Sequence, residues 1–409
     1  MSSFKLKPAT ATDSYKISHA DMYTEGTEFI YSNLTPRSDK IFRRGLSKEV
    51  QAFYDGKLIV MGIQGTIKEL HWLWQEEFFS KPKYEVCDAY VKRVTPYSGG
   101  MAVSARRFEE LHDLGYLPIE IMSIKEGNHV NMGVPIVTIV NTDVRFFWLT
   151  NFLETYLSAQ IWKTSTIATI AGVYRNILKH FAKETGSPME FVNWQAHDFS
   201  NRGMSGMMDA ARHGIGHLVS FTGTDTIQAN EYIDYAYRGA ETFVAGSVPA
   251  TEHSVMTLDG IEGEFELFKR LITQVVPTGI VSLVADGFDY WKALTEFLPA
   301  LKDDILARKP DAMGFAKVVI RPDSGDPVDI VCGTSTEVYA TIEEAIDVIN
   351  ELHMEQASED CEGSHCIGME QYVTVAKVGE AYYEFTTPME YNRHDKTYYY
   401  VDNYGAAGK

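Results

Sequence analysis

The chain has 409 residues, 45% of them apolar and 23% charged, with a formal net charge of −19. That composition supplies a large core in two or three domains and is too apolar for a disordered chain. The negative balance argues against a broad nucleic-acid footprint or docking on an anionic membrane, but it leaves room for a local basic pocket that takes a phosphorylated small molecule.

The N-terminus, MSSFKLKPATATDSYK, has no apolar core, so no secretory leader is expected. No apolar run approaches the roughly 18 residues of a membrane span. Cys87, Cys332, Cys361 and Cys366 are few for the length and suit a reducing cytoplasm. Residues 1–43 mix aromatics with TDSYK and LTPRSDK. Residues 58–115 read as mostly helical, including TIKELHWLWQEEFF. At 116–143, apolar alternation broken by Gly-Asn and Gly-Val-Pro predicts a small antiparallel β-unit. Residues 144–185 return to helix, with Phe147, Phe152, Leu153 and Leu157 as a core-packing stripe. These stretches form an expected N-terminal α/β region over 1–187.

A second region, 188–409, alternates strand-like and helix-like runs. Residues 191–196 are followed by HDFSNRG and the helix SGMMDAARHG; 218–221 by TGTDT and the helix IQANEYIDYAY. Residues 280–285 are followed by DGFDYW and a helix, and 318–320 by RPDSG, with TIEEAIDVINELHM as a later helix. Repeated βα units predict a parallel sheet or barrel, and such folds gather chemistry at the carboxyl ends of their strands. Polar residues stand at all four ends: Asp198 and Arg202, Asp225, Asp286 and Asp289, Arg321 and Asp323. Any one of them could be a helix cap or a turn. Four in succession point to a shared pocket floor.

Arginine forks bind phosphate oxygens. Carboxylates hold sugar hydroxyls or Mg²⁺. The aromatic Phe199 can stack on a flat heterocycle. Together these suggest a phosphorylated sugar reacting with a planar base. No P-loop, no GxGxxG after a strand and no GxSxG elbow offers another explanation. His253, in GSVPATEHSVMT, is either a nucleophile or acid/base, or a hydrogen-bonded structural histidine. Cys361, His365 and Cys366 share a polar run, EQASEDCEGSHC, that lacks two further ligands at metal spacing and reads as a loop.

With HDFSNRG, GTDT, GSVPATEHS and IRPDSGDP in this order, and TDSYK and FWLTNFLET before them, residues 9–331 resemble the nicotinamide phosphoribosyltransferase family. The resemblance implies a type II phosphoribosyltransferase fold, an irregular β/α barrel behind an N-terminal α/β region. It implies a homodimer with sites at the subunit interface. It also implies the reaction of nicotinamide with phosphoribosyl pyrophosphate, giving nicotinamide mononucleotide and pyrophosphate in NAD salvage, with Mg²⁺. By the same resemblance, Phe199 stacks on the nicotinamide ring and Tyr15 closes the sandwich from the partner subunit. Asp225 faces the carboxamide; Arg202 and Arg321 line the base and ribose-phosphate site; Asp323 lies near the ribose. His253 is the histidine phosphorylated by ATP, Asp286 the acid beside it, and Arg37 a partner-subunit arginine at the pyrophosphate. An acid at 225 would accept from the amide and repel the carboxylate of nicotinate.

The family pattern continues beyond RPDSG with a GDG turn, a Gly-rich phosphate loop and a further arginine segment. Here residues 355–409 carry EQASEDCEGSHC and then the tyrosine-rich runs VTVAKVGEAYYEF and KTYYYVDNYG instead, the runs ordinary β-hairpin material. The barrel is therefore expected to be incomplete, lacking part of its 5′-phosphate cradle. Three readings stay open: the N-terminal part of a split enzyme completed by a second polypeptide, a shortened enzyme with a rebuilt phosphate site, or an inactive nicotinamide-binding regulator. A nicotinate phosphoribosyltransferase is the lesser alternative.

Overall fold

The computed structural model describes residues 4–100, 103–237 and 243–332, and beyond them the backbone of short strands between 369 and 398. The N-terminal part is helical where its sequence is. Ile63–Trp74 runs into a π-turn at Gln75–Phe79, followed by helices Lys83–Tyr97 and Arg106–Leu114. The last of these buries Phe108 and Leu111 and ends on Gly115, whose φ of 83° is the left-handed conformation that closes a helix at low cost.

The β-unit comprises β3 (Ile119–Ser123), β4 (His129–Asn131) and β5 (Val137–Asn141), inside the expected span. It does not stand alone. An earlier strand, β1 (Tyr31–Leu34), pairs antiparallel with β5, placing Tyr31 opposite Val140, and β5 is the centre of the sheet β1-β5-β3. Another, β2 (Lys57–Ile59), pairs with β4, Leu58 opposite Val130. Both partners are too short and too weakly alternating to declare themselves in sequence.

A single helix, Leu149–Thr185, covers 37 residues of the stretch 144–185 expected to be helical. At 1.5 Å per residue it spans about 55 Å. Its first half joins Trp74, Phe78 and Phe108 in the N-terminal core, through Phe152, Leu153 and Tyr156. Its second half packs Ile170, Tyr174 and Leu178 against Val192, Ala196 and Phe221. Gly216 lets the following region approach: a Cβ there would lie 2.6 Å from the Thr164 carbonyl oxygen.

Beyond the helix, parallel pairings run in sequence order. The strand β6 (His197–Asp198) bridges to Thr224, Gly223 to Gly246, and Ala250 to Ser282. Next come β7 (Val281–Val284) and β8 (Val318–Arg321), parallel, with Val284 opposite Arg321. Every residue of β7 and β8 is buried, as expected for parallel strands covered on both faces. Two sequence expectations are corrected here. Residues 191–196 are largely helical turns, Met189–Phe191 and Val192–Gln195, and 218–221 overlap a 3₁₀ turn at His217–Val219. Both runs are apolar because they pack on the long helix, and a short apolar run does not distinguish a strand from a buried turn.

The expected open edge is occupied by paired backbone. Antiparallel to β6 lies β9 (Met369–Glu370), and antiparallel to β8 lies β10 (Tyr372–Val375). β10 forms a hairpin with β11 (Tyr383–Thr386), so the tyrosine-rich run is hairpin material as its sequence indicates. These pairings satisfy edge amides and carbonyls that would otherwise invite association. The expected helix at 341–354, and Cys361, His365 and Cys366, lie outside the described residues.

One buried guanidinium fastens the entry to β7. Arg308 donates through Nη1 to the Ile272 carbonyl at 2.6 Å and to that of Val276, and through Nη2 to Gly279 at 2.7 Å. Arg308→Met keeps the apolar stem but leaves three carbonyls without a donor. It is expected to cost on the order of 3 kcal/mol in urea unfolding. A loss below about 0.5 kcal/mol would be the size of an ordinary surface change and would contradict this role.

Candidate active site

The strand ends bring most of the expected site residues into one chain of contacts. His253 opens a one-turn helix directly after residues 250–252, which lie along β7: Thr251 donates its N–H to the Ser282 carbonyl, and its Oγ1 accepts from Val284 N, both at 2.9 Å. The imidazole then sits between two carboxylates. Nε2 is 3.2 Å from Asp286 Oδ1, and Nδ1 is 3.5 Å from Asp323 Oδ2. Asp286 stands two residues past the end of β7, with its side chain only 6% exposed. Its Oδ2 accepts from the Asp323 backbone N–H at 2.9 Å and the Ser324 hydroxyl at 2.5 Å. The histidine side chain remains 42% exposed, so a ligand can reach it.

Arg321 ends β8 and is buried; Nη2 donates to the Thr251 carbonyl at 2.9 Å. Pro322 keeps it extended, and Gly325 takes a φ of 90°, where a Cβ would also meet Ile330 at 2.9 Å. The guanidinium carbon lies 5.8 Å from the Phe199 ring centroid. On that ring's other neighbour, His197, the centroid separation is 4.6 Å at 37°. His197 Nε2 is 2.9 Å from Asp225 Oδ1, which also accepts from the Ser247 hydroxyl. Burial alone would push the Asp225 carboxyl up, but the hydrogen bonds from His197 and Ser247, with Arg321 nearby, hold it below the ordinary carboxylate range.

The same geometry shows which expected residues do not join. Arg202 is exposed in the 3₁₀ turn Ser200–Gly203. Tyr15 is 59% exposed and packs on His19, with ring centroids 5.2 Å apart. Arg37 is exposed at a separate small cavity lined by Pro36, Tyr54 and Trp162. Two strand-end acids are taken up by structural hydrogen bonds. Asp198 accepts from Ser200 N at 2.8 Å and Thr226 Oγ1 at 3.2 Å, and Asp289 caps Lys292 N at 2.9 Å. His197, Ser247 and Thr251 were not singled out from sequence. His197 stood in the quoted HDFSNRG, but nothing in that string marks a buried hydrogen-bonding histidine. Behind His197 and Ser247 lies a cavity of about 280 Å³, lined also by Trp194, Phe243 and Val319.

A buried acid underlies the His253–Asp286 pair. Glu264, 1% exposed, comes from the helix Gly260–Arg270, and its Oε1 faces Gly287, the residue after Asp286. Burial, with Asp289 adding to it, pushes this carboxyl up to about 7. A raised carboxyl binds its proton more tightly folded than unfolded, so its stabilising effect is present below 4.5 and is lost as pH rises through about 7. His213 and His217 act oppositely. Burial lowers both from 6.5, so the fold loses stability as pH falls below that value. The two windows overlap up to 6.5, above which only Glu264 still loses, so the melting temperature of the chain should fall there as pH rises through about 7. Glu264→Gln should flatten the alkaline limb and leave the acid limb unchanged. Parallel alkaline limbs in the two proteins would contradict the assignment.

The parallel strand ends carrying an arginine, acids, a histidine and an aromatic, with a helical and antiparallel N-terminal region, make an α/β chain whose layout fits the type II phosphoribosyltransferase fold. Residues 8–99 match the family model for the nicotinamide phosphoribosyltransferase N-terminal domain, and 194–358 that of the nicotinate phosphoribosyltransferase (NAPRTase) family. A nicotinamide phosphoribosyltransferase of Acinetobacter baylyi is 49% identical over 334 residues, covering 81% of this chain and 64% of that one. That of Mycoplasma pneumoniae is 33% identical over 340 residues, covering 80% and 68%. That of Xanthomonas campestris pv. campestris is 34% identical over 330 residues, covering 78% and 63%. The chain belongs to the nicotinamide phosphoribosyltransferase family, and it spans about two thirds of the length of these relatives. Among the described residues, no helix is long and apolar enough to cross a membrane.

Proposed function

We propose that the protein joins nicotinamide to phosphoribosyl pyrophosphate, releasing pyrophosphate and forming nicotinamide mononucleotide for NAD salvage. The observation that carries this reading is the unbroken line of contacts from Asp225 through His197, Phe199 and Arg321 to Thr251, two residues before the His253–Asp286–Asp323 cluster. It sets a flat-ring site beside an acid and a cation, as the reaction requires. The base stacks on Phe199 with its amide toward Asp225. Its ring nitrogen attacks the anomeric carbon while the bond to pyrophosphate breaks. Positive charge on the ribose is met by Asp323, and negative charge on the leaving group by arginine; no protein nucleophile is needed.

Mg²⁺ fits this site as a companion of the pyrophosphate. Among the described residues no three His, Cys, Asp or Glu side chains converge on a metal position, and Asp286 is occupied by its hydrogen bonds, which leaves Asp323 as the residue to hold the ion. When bound, Mg²⁺ would neutralise charge on the departing phosphates. ATP coupling would act at His253, whose exposed ring can take a phosphoryl group while Asp286 orients it. A homodimer accounts for Tyr15 and Arg37, exposed and outside the cluster, as contributions to the partner's site. The length relationship to the relatives favours a second reading, in which chain outside these 409 residues, on the same or another polypeptide, completes the 5′-phosphate cradle. Turnover by the purified chain with nicotinamide and nicotinate as competing bases tests the proposal. Use of the acid with the amide ignored would replace it with a nicotinate enzyme.

A further inference from the structure

We infer that His197 is the positioning residue that gives the base site both its affinity and its choice of amide over acid, by two separable contacts; the inference rests on the base site proposed above. His197 is 4% exposed and ends the apolar interior as the first residue of β6. It has no freedom to turn. Gly223 presses on it so closely that a Cβ there would lie 2.6 Å from Nδ1. Fixed in this way, the ring does two things. Its face supports Phe199, 4.6 Å between centroids. Its Nε2, 2.9 Å from Asp225 Oδ1, anchors one carboxylate oxygen, and Ser247 binds that same oxygen. Oδ2 of Asp225 is thereby turned to a defined direction, as an acceptor for one N–H of a carboxamide. A carboxylate ligand would meet the same oxygen as a like charge. His197 touches both Phe199 and Asp225, so the stacking surface and the acceptor share a single support.

The two contacts can be removed one at a time. His197→Phe keeps a ring under Phe199 and removes the nitrogen that anchors Asp225. His197→Gln keeps a donor within reach of Asp225 and removes the ring. The readout is the pair of dissociation constants for nicotinamide and nicotinate on the full chain, measured by titration calorimetry, with melting temperature as the folding control. The Phe variant should lose about tenfold or more of the nicotinamide-to-nicotinate ratio, through weaker nicotinamide binding. The Gln variant should keep the ratio within about threefold while both bases weaken together. If the Phe variant does not fold, His197→Ala takes its place and should lose both ratio and affinity. An unchanged ratio in His197→Phe or its replacement, or an equal loss of ratio in the Gln variant, overturns the inference. A wild-type chain that binds neither base instead overturns the reading of the base site itself.

Discussion

Asp323→Ala should lower mononucleotide formation by about 10²–10³-fold, with most of the loss in kcat. The substitution is unusually clean. The loop that carries Asp323 is held by its backbone N–H on Asp286 Oδ2 and by the Ser324 hydroxyl, and alanine keeps both. What disappears is one carboxylate, 3.5 Å from His253 Nδ1, which in the proposed reaction meets the ribose charge and would hold Mg²⁺. His253 keeps its bond to Asp286, so the imidazole stays oriented. A loss below about threefold would mean that the carboxylate neither meets the oxocarbenium-like ribose nor holds the metal.

Asp225→Ser should move the nicotinamide-to-nicotinate ratio of kcat/KM by about 10²-fold toward the acid. Wild-type Asp225 is held ionised against its burial by His197 and Ser247, so a nicotinate carboxylate would face a fixed negative charge. Serine accepts or donates equally and carries no charge, so the penalty on the acid is removed while a hydrogen bond to the amide is retained. His197 loses its carboxylate partner in this variant, and a lower melting temperature is the expected side effect. An unchanged ratio with intact folding would show that the amide is recognised elsewhere.

The sequence carried the βα rhythm and the polar strand ends because both are local patterns. Residues 227–237 read as a helix and form the helix Ile227–Tyr237; the runs at 280–285 and 318–320 read as strands and contain β7 and β8. The N-terminal sheet was only half legible, since β1 and β2 acquire strand character from partners far along the chain, at Val137–Asn141 and His129–Asn131. The runs at 191–196 and 218–221 misled because apolarity reports burial rather than backbone shape. At the site, charge and order in sequence pointed to His253, Asp286 and Asp323, which do meet, and to Arg321, which bonds to Thr251 beside them. They could not separate these from Asp198 and Asp289, identical in type but taken up by backbone amides and, for Asp198, by the Thr226 hydroxyl. His197 escaped notice for the opposite reason: its value lies in a buried contact to Asp225, 28 positions away, that no spacing rule encodes.

The most direct test of the account is a single-turnover assay with the purified 409-residue chain in excess over labelled nicotinamide, with phosphoribosyl pyrophosphate, Mg²⁺ and ATP. Labelled mononucleotide formed by the wild-type chain, and absent when His253 and Asp323 are both replaced by alanine, is the expected result. It would place base recognition and ribosyl transfer in the cluster at the ends of β7 and β8. Nicotinamide bound by the wild-type chain but never converted, at any ATP concentration, would contradict the account and leave a nicotinamide-binding protein whose transfer chemistry is not its own.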